Sequence, residues 1–240
     1  PDDRAPHVVS IGYLALTRIA THGDNGADPA AFRSWYSYFP WEDWRDGRPA
    51  ILDREIVPRL SAWASDHKAE RADTHQRALS RFERLRLAFG IDPSPWDEEK
   101  VLDRYELLYE AGLVFEAIRD GRPGGLDEIT SRRFGLPMRH DHRRILATAM
   151  GRLRAKLKYR PVVFELMAPD FTLTALQQTL ESISGRHVHK QNFRRLVETS
   201  ALVEPTGQQT TTRGRPAALF RFRRDVLQER PSPGLRVGVK

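Results

Sequence analysis

The sequence predicts an α+β chain in which a mixed, largely helical body precedes a C-terminal winged helix-turn-helix. Three observations carry this reading. Apolar residues pass from a strand-like run near the start to helical spacing through the middle of the chain. A helix, a helix-turn-helix and two strands then follow in the last third. Charge divides between the same two parts: residues 151–240 carry 17 Lys and Arg against 7 acids, and residues 1–150 carry 22 against 25. A basic module on a mildly acidic body suggests polyanion binding joined to a second task, although a solvated basic surface has the same arithmetic.

In chain order, His7 to Arg18 (HVVSIGYLALTR) groups β-branched and apolar residues and reads as a buried strand. Thr21 to Phe32 is a turn-rich loop. Trp35, Tyr36, Tyr38, Phe39, Trp41 and Trp44 then crowd together, and a second strand is expected to end at Pro40. Helical spacing runs from Ile51 to Phe89, with Ile56, Leu60 and Trp63 on one face and Leu79, Phe82, Leu85 and Phe89 on another. Asp92-Pro93-Ser94-Pro95 interrupts it. Asp97 to Arg119 reads as one long amphipathic helix whose apolar surface makes it the expected interface with a second copy. The last helix of the body spans about Asp141 to Tyr159, with Ile145, Leu146, Met150, Leu153 and Leu157 inward.

The C-terminal third has the clearest signals. Pro161 to Met167 reads as a short apolar helix. Thr172 or Thr174 can cap the next helix, with Gln177 completing a capping box from Thr174, and Leu173, Leu176, Leu180 and Ile183 are its buried face. Gly185 stands where a left-handed stop is needed. A third helix, about Val188 to Thr199, turns Phe193, Leu196 and Val197 inward and leaves Lys190, Gln191, Asn192, Arg194 and Arg195 outward or on the flanks. Strands at Ala201 to Glu204 and Ala218 to Phe222 enclose a polar loop with Arg213 and Arg215 on either side of Gly214. This is the order of a winged helix, whose third helix suits the major groove. There Arg and Lys can bridge guanine, Gln191 and Asn192 can pair with adenine, and Arg213 and Arg215 can press on phosphates or enter a minor groove.

Other chemistry is thinly represented. A chain of 240 residues without cysteine has no disulfide scaffold, thiolate nucleophile or sulfur-ligated zinc. No catalytic arrangement and no metal site is expected, nor an obligatory cofactor. His140-Asp141-His142 could ligate a metal or bind a ligand, but equally reads as a helix cap with solvated histidines. Tyr36, Phe39, Trp41 and Trp44 could stack on a purine or form core. No long apolar window or signal peptide occurs, so a cytoplasmic protein without membrane attachment is expected. Pro1 in place of a starting Met suggests a processed or truncated form.

Residues Arg139 to Phe222, and above all KQNFRR (Lys190 to Arg195) with GRPA (Gly214 to Ala217) and the following FRF, resemble the Nudix-related transcriptional regulators of NrtR type. The GYLAL and YFPWEDW segments and the long helical stretch resemble most closely the alphaproteobacterial NadQ-type regulators of NAD biosynthesis. The resemblance implies a Nudix-like α/β sensor over 1–160 with a helical insertion at about 51–120 and a winged helix over 161–228; the Pro/Gly-rich tail over 229–240 is expected to be flexible. It further implies a homodimeric repressor of NAD synthesis or salvage genes that binds a palindromic double-stranded operator. NAD, ATP or ADP-ribose would be its effector, seated at Tyr36, Phe39, Trp41, Trp44 and His140 to His142. The Nudix box does not occur in these residues, which weighs against the alternative, a Nudix-type hydrolase of NAD or ADP-ribose-like dinucleotides. A winged helix used only for protein contacts is the third reading.

Overall fold

In a computed structural model, the structure describes residues 11–18, 33–66, 79–122, 124, 126–210, 216–229 and 234–235. Among them every regular element of the body is helical. The run expected as a buried strand has no regular structure over 11–18, and Ile11, Tyr13 and Leu14 are exposed. A strand needs a neighbour for its backbone donors and acceptors, and no described strand lies in the body to supply one. The aromatic segment corrects a second expectation. It folds as two 3-10 turns, Trp35–Ser37 and Pro40–Glu42, because Ser34 caps the first and Pro40 opens the second.

A π turn at Leu52–Ile56 runs into α1 (Val57–Ala64), burying Leu52, Ile56 and Leu60. α2 (Arg81–Phe89) begins at a capping box between Ser80 and Glu83 and ends at Gly90 in the left-handed region. Its inner face is Arg81, Leu85, Ala88 and Phe89, whereas Leu79 and Phe82, expected inside, are exposed. Arg81 takes the inner place by lying over the Trp63 ring, 4.4 Å from its centroid. The long helix expected over Asp97 to Arg119 is two helices, α3 (Val101–Glu110) and α4 (Phe115–Arg119). Gly112 separates them at φ 70°, a conformation that costs glycine little. Their apolar residues, among them Tyr105, Leu108, Leu113 and Val114, are buried in the body's own core, so the intersubunit face expected there is already used. α5 (Glu128–Ser131) follows under an Asp127 cap, and α6 (His142–Leu157) closes the body.

The C-terminal unit follows the expected order. A 3-10 turn, Val162–Leu166, replaces the short helix, and β1 (Asp170–Phe171) leads into α7 (Leu173–Ser184) and α8 (Lys190–Ser200). β2 (Val203–Thr210), β3 (Ala217–Phe222) and a short α9 (Val226–Glu229) complete it. The sheet has the order β1-β3-β2, all antiparallel, with Phe171 opposite Phe220 and Val203 opposite Phe222. β2 thus extends beyond the strand expected at Glu204, through an irregularity between Pro205 and Gln209. The tail expected to be flexible contributes Leu235 to the core, its N–H donating to the Leu157 carbonyl at 2.8 Å, because an apolar side chain finds a buried seat there.

Two apolar clusters form the interior. The first gathers the aromatic turns, α1 to α4 and the start of α6; the second gathers the end of α6 and the winged helix. α6 belongs to both, with Ala147 and Met150 in the first and Leu153 and Leu157 in the second.

Candidate nucleic-acid interface

α7 starts at Thr172, whose hydroxyl accepts from the Ala175 N–H at 3.1 Å; the alternative cap at Thr174 is not used. Gln177, expected in a capping box, has a different task. Its amide donates to Glu181 at 2.9 Å and to the Val188 carbonyl at 2.7 Å. Glu181 also accepts from the Val188 N–H at 2.9 Å and lies 3.2 Å from His187 Nδ1. Burial pushes the Glu181 carboxyl up, but the Val188 N–H, Gln177 and His187 outweigh it and hold the group below the usual carboxylate range. The carboxylate therefore ties α7 to the residues that start α8. Nothing in the sequence distinguishes Glu181 from a surface glutamate, and the reading by periodicity missed it.

α8 presents the residues expected of a recognition helix. Phe193 and Val197 are buried and Leu196 is half-buried. Lys190, Gln191, Asn192, Arg194 and Arg195 are all exposed, and none of these side chains has a hydrogen bond or ion pair among the described residues. Three cations and two amides stand free on one short helix, so their donors can meet phosphate oxygens or base edges without first breaking a protein contact. Arg213 and Arg215 lie outside the described residues.

The body meets this unit at the turn between the two helices. Tyr36 Oη donates to the Ser182 carbonyl at 2.7 Å, Arg154 Nε to the Ile183 carbonyl at 2.9 Å, and the Trp44 N–H to the Gly185 carbonyl at 2.6 Å. Arg186 lies over the Trp44 ring, 4.7 Å from its centroid. Behind this contact Glu42, fully buried, accepts from Arg104 at 2.5 Å and from Arg154 at 2.6 Å. Burial alone would raise the Glu42 carboxyl; the two guanidiniums outweigh it and hold it low.

The residues expected to bind a small molecule in the body are not brought into one site. Phe39 and Trp41 have no exposed surface and pack edge to face, 5.9 Å between centroids, inside the first core. Trp44 is half-buried against Trp96 and Arg186. His140, Asp141 and His142 are exposed at the start of α6, and the described residues hold no group of three or more His, Asp or Glu able to bind a metal ion. Tyr36 borders an open cleft of about 560 Å³, which lies between Ser34, Trp35 and Arg45 of the body and Gln178, Thr179 and Ser182 of α7.

Residues 163–222 match the family model of the NrtR DNA-binding winged helix domain. The C-terminal unit is thus similar to the NrtR-type winged helix. A curated relative, the ADPR responsive transcriptional repressor NtrR of Acinetobacter baylyi, is 41% identical over 87 residues, which are 36% of this chain and 35% of the relative. The chain thus matches about a third of that relative's length. Among solved structures, Shewanella oneidensis NrtR complexed with a 27mer DNA is 34% identical over 39% of this chain and 42% of its own, with a TM-score of 0.34. Shewanella oneidensis NrtR alone is 37% identical over 38% and 41%, with a TM-score of 0.33. The NrtR-type match includes β1, α7, α8, β2 and β3, and with them Lys190, Gln191, Asn192, Arg194 and Arg195 of α8. Among the described residues no helix is long and apolar enough to cross a membrane.

Proposed function

We propose that this chain is a DNA-binding transcriptional repressor of NAD biosynthesis or salvage genes, acting in the cytoplasm as a homodimer on a palindromic operator. Its affinity for DNA is set by an adenine nucleotide bound to the body. ADP-ribose is the first choice, since the Acinetobacter baylyi relative is described as ADPR responsive; NAD and ATP are the others. The observation that carries the reading is the free, exposed Lys190, Gln191, Asn192, Arg194 and Arg195 on the second helix of a helix-turn-helix within an NrtR-type winged helix. Of the residues nominated for the effector, Trp44 is half-buried and His140 to His142 are exposed, whereas the burial of Tyr36, Phe39 and Trp41 supports a packing role.

A mobility-shift titration on promoter fragments of NAD synthesis and salvage genes, with and without ADP-ribose, NAD and ATP, tests the reading. The expected result is saturable binding preferred over random DNA at ~150 mM salt, changed by one of the nucleotides. Equal binding by the wild type and a Lys190→Ala/Arg194→Ala/Arg215→Ala variant would overturn it. Magnesium-dependent release of AMP or phosphate from ADP-ribose or NAD would instead favour a hydrolase.

A further inference from the structure

We infer that Tyr36, Arg154 and Trp44 are positioning residues for the recognition helix, capping the C-terminal end of α7 from outside and so setting the pose of α8 relative to the body. The inference rests on the DNA-binding reading and adds to it a means by which the body acts on the DNA-reading unit.

The last carbonyls of a helix have no partner within it and carry the negative end of its dipole. In α7 the Gly185 N–H returns to the Glu181 carbonyl, while the carbonyls of Ser182, Ile183 and Gly185 are met by donors that do not belong to the helix-turn-helix. Two of these donors come from the aromatic segment and one from α6. The cationic donor, Arg154, is itself held by the Glu42 carboxylate of that segment. The approach is close: a Cβ on Gly185 would lie 2.4 Å from the Glu42 carbonyl oxygen. On the far side of the turn, Glu181 and Gln177 grip Val188, two residues before the first residue of α8. Short polar contacts therefore run from Glu42 through Arg154 to the end of α7, and from Gln177 and Glu181 of α7 on to Val188, two residues before α8 begins. Movement of the aromatic segment has to move the turn.

A pose effect differs from a loss of folding in what it does to DNA binding. Phosphate contacts made by any folded molecule support binding to all sequences, whereas base contacts need α8 at one depth and angle. The test uses the full chain, a duplex enriched by the wild type from a random-sequence pool, and an unselected duplex of equal length. Tyr36→Phe removes only the hydroxyl on Ser182. It is expected to lower the ratio of selected to unselected affinity by about fivefold, the weight of one hydrogen bond, with unselected binding unchanged and faster amide exchange at 183–188. Ile56→Val, in the body core away from α7, is expected to change neither. The chain has no native cysteine, so Trp44→Cys with Arg186→Cys, oxidised in the Tyr36→Phe background, should restore the ratio. An unchanged ratio and unchanged exchange in Tyr36→Phe would overturn the inference, as would equal losses on both duplexes. A wild type that prefers no sequence would overturn the DNA reading instead, and exchange at 183–188 would still decide whether the contact governs the turn.

Discussion

Glu42 is a buried carboxylate that serves two buried guanidiniums, Arg104 and Arg154. Such a group gains less from its ion pairs than the geometry suggests, because three charges have left water; removing it, however, strands the two cations. Glu42→Gln is therefore expected to cost about 3–5 kcal/mol, measured by urea unfolding at neutral pH. The same carboxyl fixes a sign for the acid side. Its folded value is depressed, so its contribution is present above the unfolded value of about 4.3 and is lost as pH falls through the lower folded one. Wild-type stability should decline below about pH 4, and the Gln variant should lack that part of the decline. None of this was legible in YFPWEDW or in the arginine-rich helices. An arginine every few positions on an amphipathic helix reads as a solvated face, and only the tertiary structure shows that Arg104, Arg143 and Arg154 point inward.

The elements divide by how local their determinants are. α7, its Gly185 stop, α8 and the two wing strands were readable because capping, a left-handed glycine and alternating or helical spacing act within a few residues of one another. The body was read less well. An apolar run such as SIGYLAL specifies a strand only when a neighbouring strand exists, and the aromatic cluster specifies burial without saying which backbone will bury it. The free side chains of α8 were legible as candidates from the same local spacing, since Phe193 and Val197 fix which face is left outside. That division predicts a division of effects. Arg194→Ala on α8 should erode the preference for operator over random DNA by about 1–3 kcal/mol. Arg215→Ala at the wing should weaken both together and lower the slope of log affinity against log salt by about 1. Anisotropy titrations at several salt concentrations separate the two, and identical behaviour of both variants would remove the distinction between helix and wing.

For the whole molecule, the arrangement of the core matters more than the change in charge near residue 150. The two apolar clusters meet within α6, where Met150 packs in one and Leu153 in the other. Glu42 and Arg154 join the same two regions through a fully buried ion pair. Body and winged helix are therefore expected to unfold together, as a single calorimetric transition with equal van't Hoff and calorimetric enthalpies; two resolved transitions would contradict this. A shared helix also constrains how such a protein can be recombined. Were a different N-terminal body to be grafted onto this winged helix, a splice at the turn after Leu157 would strip it of Leu153, Leu157 and Arg154, whereas a splice ahead of His142 would carry them along. Any ancestral or engineered exchange of the body is thereby confined to junctions upstream of α6, and the new partner must bring its own acid to replace Glu42.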